Sequence, residues 1–252
     1  MKIYYFFISF SLLFFSLYAE PERMTAITVK KYVHERPAFT QGLAIEGNYL
    51  YESTGLYGLS SVRIMDIDKC HIIRSYKLPP YLFGEGIAVL DNQIIQLTWK
   101  EQQALIYEKN SLNPKSKTFY KGDGWGLCKE GKMIWMSDGS SFLTQRKPDD
   151  FSIVKTLQVF LKKKPVYLLN DLESVDQFIY ANVWKKNEIL RIDKSTGKVT
   201  GIIDASHLLT STEQASLKPE EVLNGIAYRP ESDTFFLTGK EWPWIFEVKF
   251  QK

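Results

Sequence analysis

The 252-residue chain carries 32 Lys and Arg against 29 Asp and Glu, a formal charge of +3, with 44% hydrophobic and 24% charged residues. That apolar content supplies a packed core and excludes disordered, collagen-like and coiled-coil classes. So small a net charge, with Lys162-Lys163-Lys164 as its only basic run, lacks the clustered Lys and Arg that nucleic-acid binding needs.

In chain order, Met1-Lys2 is followed by an apolar run to Tyr18 and then by Ala19-Glu20-Pro21. This is the pattern of an export signal, and the run is shorter than the roughly 20 apolar residues a spanning helix needs. Residues 1–19 are therefore read as a signal peptide and 20–252 as a single exported domain, periplasmic or extracellular, with no stable membrane insertion after cleavage. Cys70 and Cys128 share no metal-ligand spacing and are expected as buried free thiols, and His34, His71 and His207 are scattered. A zinc hydrolase is excluded on that basis.

Residues 25–33 alternate as a strand. Beyond them a mark of polar or aromatic, small and aliphatic residues recurs at Gln41-Gly42-Leu43, Glu85-Gly86-Ile87, Trp125-Gly126-Leu127, Asn170-Asp171-Leu172 and Asn224-Gly225-Ile226, at intervals of 44, 40, 45 and 54 residues. A second mark follows each at a near-constant distance: Ser53-Thr54-Gly55, Leu97-Thr98-Trp99, Ser137-Asp138-Gly139, Asn182-Val183-Trp184 and Leu237-Thr238-Gly239. A third, strand-like run comes next in every unit (62–68, 104–109, 142–147, 188–193, 244–249), and a fourth closes the first four (72–78, 117–121, 152–159, 199–203). The fifth unit has no fourth run, and the strand at 25–33 supplies it. The pattern predicts an all-β fold, a five-bladed β-propeller of four-stranded antiparallel blades closed by the N-terminal strand. The long last interval is assigned to an insertion at 204–222, where Asp204 or Ser206 is placed to cap a short helix through His207-Leu208-Leu209 and Glu213-Gln214-Ala215, between the fourth and fifth blades.

Phase converts to geometry. The innermost strands line a central channel, so the first marks ring one mouth, and hairpin pairing brings the second marks to the same face. Gln41, Glu85, Trp125, Asn170 and Asn224 arrive there from the first mark, with Trp99, Trp184 and Lys240 at or just after the second, and Phe39 and Phe83 two residues ahead of Gln41 and Glu85. Aromatic walls around a few convergent polar groups are the usual form of a small-ligand or catalytic site. Gly55, Gly139 and Gly239 read as turn residues, and Trp135, Trp242 and Trp244 as packing between blades. Among aromatic walls the pKa of Glu85 is expected to rise, as a proton shuttle requires. No nucleophile elbow, P-loop or dinucleotide fingerprint occurs, and no histidine is placed for a triad. The chemistry left is acid–base, with the nucleophile carried by the substrate.

The set Phe39-Thr40-Gln41-Gly42-Leu43, Phe83-Gly84-Glu85-Gly86-Ile87, Gln96-Leu97-Thr98-Trp99, Gly124-Trp125-Gly126-Leu127, Ala181-Asn182-Val183-Trp184, Leu223-Asn224-Gly225-Ile226 and Leu237-Thr238-Gly239-Lys240 closely resembles the plant and bacterial type of glutaminyl-peptide cyclotransferase. The resemblance spans essentially all of the chain after the signal, and it implies a five-bladed propeller without a catalytic metal. It also implies that Glu85 is the acid–base, that Gln41, Asn170 and Lys240 contact substrate or stabilise charge, and that Phe39, Phe83, Trp99, Trp125 and Trp184 form the aromatic walls. Asn224 is added from its first-mark position. Asn170-Asp171-Leu172-Glu173 departs from the Asn-Glu-Leu-Glu usual in the family. The implied substrate is a peptide or protein with an N-terminal glutamine, cyclised to pyroglutamate with release of ammonia, and the expected form is a monomer. No cofactor is implied for catalysis, and a structural calcium ion is compatible with the sequence. Two other classes stay open on sequence alone: a calcium-dependent propeller lactonase or esterase, against which Lys240 and the indoles count, and a non-catalytic binding propeller.

Overall fold

A computed structural model describes residues 20–252; the segment read as an export signal lies outside the described residues. The described residues open with a long strand, β1 (Glu22–Val33), and then run through the repeat units in order. The first unit holds β2 (Thr40–Glu46), β3 (Tyr49–Thr54), β4 (Ser61–Asp66) and β5 (Ile72–Lys77). The second holds β6 (Gly84–Leu90), β7 (Gln93–Thr98), β8 (Gln103–Glu108) and β9 (Pro114–Phe119). The third holds β10 (Leu127–Glu130), β11 (Met133–Met136), β12 (Phe142–Arg146) and β13 (Ile153–Gln158), followed by a small hairpin of β14 (Phe160–Leu161) and β15 (Lys164–Pro165) that carries the lysine run. The fourth holds β16 (Leu169–Val175), β17 (Phe178–Val183), β18 (Glu188–Asp193) and β19 (Val199–Asp204). After a short helix, α1 (Ser211–Ala215), the chain ends with β20 (Leu223–Arg229), β21 (Thr234–Gly239) and β22 (Trp244–Gln251).

The first three units are separate four-stranded antiparallel sheets. The other two are joined by β1, which pairs antiparallel with β22, Thr25 opposite Gln251 and Val33 opposite Trp244, and parallel with β19 through Glu22–Thr25. The N-terminal strand thus supplies the outer strand of the last sheet and is also tied to the sheet before it. Sequence order explains the burial gradient. Inner strands such as β6 (GEGIAVL) are buried throughout, whereas outer strands such as β9 (PKSKTF) are mostly exposed. Lysines on these outer edges discourage pairing with another chain.

There is no single core. Apolar side chains form five clusters, each shared by two consecutive sheets: Tyr51 and Val62 of the first unit meet Ile87 and Ile94 of the second, and Leu43 and Leu50 of the first meet Ala227 and Phe236 of the fifth. The inner strands contact one another in a closed circuit, β2 to β6 to β10 to β16 to β20 and back to β2. Their approach is backbone to backbone. A Cβ on Gly86 would lie 2.4 Å from the Leu127 nitrogen, and one on Gly126 would lie 2.0 Å from the Asn170 carbonyl oxygen. In the fourth unit the corresponding residue is Asp171, whose carboxylate crosses the axis to accept from the backbone N–H groups of Leu43 (3.1 Å) and Ile226 (2.9 Å).

Two local details differ from the sequence reading. The helix is capped by Thr210, not by Asp204 or Ser206: Thr210 and Glu213 form a reciprocal capping box, while Asp204 accepts from the Ser206 N–H in a turn. His207 stays outside the helix and bonds the Ala26 carbonyl, and Leu208 and Leu209 are buried beneath β1 and β20. Cys70 and Cys128 are buried free thiols.

Backbone contact at the glycines sets a stability test. Gly126→Ala is expected to cost about 3 kcal/mol because its neighbour is a backbone oxygen that cannot move aside. Gly131→Ala, at a positive φ but in open space, is expected to cost about 1 kcal/mol. Denaturant melts of the two variants check the order, and equal losses would contradict the close-packed ring.

Candidate active site

At the first mark the inner strands do not run regularly. Pairing slips between Thr40 and Gly42, between Gly84 and Ile87, between Leu169 and Leu172, and between Leu223 and Ile226. These β-bulges free Gln41, Glu85, Asn170 and Asn224 from the ladder and re-aim their side chains, a common device beside active sites. In the third unit the strand starts later, and Trp125 takes the equivalent place with its carbonyl accepting from the Gly86 N–H at 2.6 Å. An isolated bridge between Phe39 and Lys240 closes the ring at this level.

The result is a cavity of about 290 Å³. Glu85, Gln41, Asn170, Lys240 and Glu220 supply its polar lining, and Phe39, Phe83, Trp99, Trp125 and Trp184 its aromatic one. The rings interlock: Phe83 packs on Trp99 with centroids 5.5 Å apart, Phe39 meets Phe83 edge-on at 6.3 Å, and Trp125 meets Trp184 edge-on at 5.7 Å. Asn224 does not belong to this lining. It is fully buried behind it, donating from Nδ2 to the Thr40 carbonyl (3.0 Å) and to Gln41 Oε1 (3.3 Å). Because its bulge carries Gly225 at a φ of 109°, its side chain is directed between β20 and β2 and away from the opening.

Glu85 is 4% exposed and accepts from Gln41 Nε2 at 2.8 Å. Burial raises its pKa well above the ordinary carboxylate value; Lys240 pulls the other way, and Asp123, Asp171 and Glu101 add to the rise. Burial likewise lowers the pKa of Lys240, against the pull of Glu85 and Glu220. The Lys240 ammonium stands 4.9 Å from the centre of the Phe39 ring. Two buried polar atoms of the lining have no partner, the Trp184 indole N–H and Asn170 Oδ1. The site therefore holds one spare donor, one spare acceptor, a hydrogen-bonded acid and an amine.

Several participants carry no repeat signal. Glu220 comes from the insertion, lines the cavity and pairs with Lys185 at 3.3 Å. Asp123 accepts from the Trp99 indole N–H at 3.1 Å, and Glu101 accepts from the Tyr57 hydroxyl at 2.8 Å. Lys100 and Lys185, each directly after a wall tryptophan, sit 4.5 Å from the Trp99 and Trp184 ring centres. The second-mark glycines also do more than turn the chain. A Cβ on Gly55 would fall 2.4 Å from the Phe83 ring, and one on Gly139, whose φ is 78°, would fall 2.7 Å from the Trp125 ring. Each missing side chain is a seat for a wall aromatic. At the far ends of the inner strands a second cavity of about 430 Å³ has charged walls; of these, Lys194 pairs with Glu130, and Glu46 pairs with Lys109 outside the lining.

Comparison with known proteins gives a consistent picture. The glutamine cyclotransferase family model matches residues 11–250. The glutaminyl-peptide cyclotransferase of Arabidopsis thaliana is 35% identical over 227 residues, which cover 89% of this chain and 71% of that protein. The crystal structure of Myxococcus xanthus glutaminyl cyclase matches with a TM-score of 0.85 at 38% identity, covering 92% of this chain and 99% of that one.

The seating of the walls is testable without any ligand. Gly55→Ala is expected to displace Phe83 and with it Trp99, costing about 1–3 kcal/mol and altering the near-ultraviolet tryptophan dichroism while the far-ultraviolet spectrum stays put. An unchanged near-ultraviolet spectrum would show that Phe83 does not depend on that seat.

Proposed function

The chain belongs to the glutamine cyclotransferase family, with glutaminyl-peptide cyclotransferase activity as its function, and we propose that the aromatic cavity is where that reaction takes place. The observation that carries the proposal is Glu85, a buried carboxyl held by Gln41 in a cavity whose other cationic or acidic lining groups among the described residues are Lys240 and Glu220. We further infer that the repeat units are the blades of a five-bladed β-propeller, which is supported by the closed circuit of inner strands and by the five shared core clusters.

In the reaction the α-amine of an N-terminal glutamine attacks its own side-chain carboxamide carbon. A C–N bond forms, a five-membered lactam closes, and the carboxamide nitrogen leaves as ammonia. Nucleophile and electrophile belong to one residue, so the protein mainly has to fold the substrate into attack geometry, where proximity effects are large. Interlocked rings of the size found here hold such a folded side chain and keep water away. Glu85 takes a proton from the attacking nitrogen and returns it to the departing one; burial makes it a stronger base than a solvated carboxylate. The unpaired Trp184 N–H and Asn170 Oδ1 complement the C=O and NH2 of a carboxamide, and Lys240 supplies charge where the oxyanion develops. The two carboxylates of the lining are already engaged, Glu85 with Gln41 and Glu220 with Lys185, and with the Lys240 ammonium beside them they are a poor ligand set for a hard cation, so the proposed mechanism routes no step through a metal.

For Glu85→Gln, ammonia release from a Gln-initiated peptide is expected to fall by about 10²–10⁴-fold with the fold retained, and wild-type activity is expected to survive a chelator. In the wild type, kcat/KM is expected to rise with pH through a limb lying above the ordinary carboxylate value, because a base with a raised pKa becomes ionised only at higher pH. Full activity in Glu85→Gln would remove Glu85 from the mechanism. Separately, Lys240→Ala is expected to lower kcat by about 10²-fold or more and Phe39→Ala by less than about tenfold. Equal small losses would make Lys240 a structural residue.

A further inference from the structure

We infer that Asn224 is a positioning residue for the cyclisation: it fixes the side-chain amide of Gln41 so that only Nε2 can face Glu85, which keeps Glu85 Oε1 as a permanent acceptor and leaves Oε2 as the oxygen that exchanges the proton with substrate. The inference rests on the reading of Glu85 as the acid–base group.

The argument is one of donors and acceptors followed link by link. A backbone carbonyl can only accept, so the Asn224 atom 3.0 Å from the Thr40 oxygen is its NH2 group. That group's second hydrogen points to a Gln41 atom at 3.3 Å, which must then be Oε1. The remaining Gln41 atom, 2.8 Å from Glu85 Oε1, is therefore the NH2. Each orientation is dictated by the one before it, and the first is anchored in backbone.

The anchor is itself held. The Thr40 hydroxyl donates to Glu52 Oε1 at 2.6 Å, and Glu52 is clamped by His34 at 2.8 Å and Arg63 at 3.4 Å. On the other side, the Gly225 N–H donates to Asn182 Oδ1 at 3.1 Å and pins the bulge from which Asn224 projects. Asn224 Oδ1 is left buried with no partner. Turning the amide over would not cure this, since it would set that oxygen against the Thr40 carbonyl. The molecule thus keeps an unsatisfied acceptor, and what it retains is the direction of the chain toward Glu85.

Direction matters because an N–H donated to a carboxylate favours the ionised form. A Gln41 reversed to present Oε1 would hold the acid proton of Glu85 on the wrong oxygen, out of reach of substrate. The other groups acting on Glu85 are Lys240, which favours ionisation, and Asp123, Asp171 and Glu101, which oppose it; the Tyr57 and Tyr120 hydroxyls lie within its field. None of these is altered by substitution at Asn224 or Gln41.

The test is a double-mutant cycle on the full chain, with kcat/KM for a Gln-initiated peptide measured against pH. Asn224→Ala and Gln41→Leu are each expected to move the acid limb up by about one pH unit, to lower kcat more than they change KM, and to give no further shift when combined. Should Asn224→Ala fail to fold, Asn224→Leu, of similar size, uncharged and without a donor, carries the same expectation. An acid limb left in place with only a lowered Tm, or shifts that add in the double variant, overturns the inference. A Glu85→Gln protein that still releases ammonia overturns the underlying reading instead, which keeps the two failures apart.

Discussion

The closeness with which the inner strands approach one another around the axis governs the rest of the molecule. At Gly86 and Gly126 the neighbour is backbone, so there is no side chain to yield and no freedom to shift one unit relative to the next. Asp171, standing where the other units place glycine, spends its carboxylate on the N–H groups of Leu43 and Ile226 and so fills the space the glycines leave. Fixing the ring at this level fixes the bulges beside it, and the bulges decide which side chains reach the cavity. Geometry at the site is thereby inherited from backbone contacts, which are far less tolerant than side-chain packing.

The buried acids of this region end up shifted in opposite directions according to company. Glu85 and Asp171 are enclosed along the inner strands and Glu173 is partly so, and burial is the main reason that each is pushed up, Glu173 to about 8. Three like charges in a low-dielectric channel are resisted, and the neutral acid is the cheaper state. Glu52 is as deeply enclosed, and burial pushes it up too, yet His34 and Arg63 beside it outweigh that and hold it below the ordinary range. A proton-carrying acid and a fixed structural anion are thus built from the same residue type, the difference being whether the neighbouring cations outweigh burial, as His34 and Arg63 do at Glu52 and Lys240 does not at Glu85.

Much of this was legible in the sequence because repetition multiplies weak signals. One Glu-Gly-Ile means little, but five marks in phase located the strands, the borrowed N-terminal strand and the common mouth to which Gln41, Glu85, Trp125 and Asn170 come. What was not legible depends on departures from regularity. Nothing in Asn224-Gly225-Ile226 says that its bulge turns the amide inward, because the same mark in the fourth unit turns Asn170 toward the cavity. Glu220 lies in an insertion with no phase to read. Thr210 capped the helix because its capping box with Glu213 starts later than the first polar residues of the insertion. Gly55 and Gly139 looked like turns, and only the three-dimensional neighbours, Phe83 and Trp125, reveal that their missing side chains are occupied by rings.

The double pairing of β1 also has a consequence for how the protein comes into being. Its register partners run from Trp244 to Gln251, so β1 has no antiparallel partner until residues 244–251 have been synthesised. Until then the last sheet is incomplete and both flanking edges are open. Contacts between opposite chain ends carry the largest loop-closure cost and slow folding. The aromatic mouth, whose Phe39 and Lys240 meet in a bridge between the first and last units, is therefore closed only once the last unit is present.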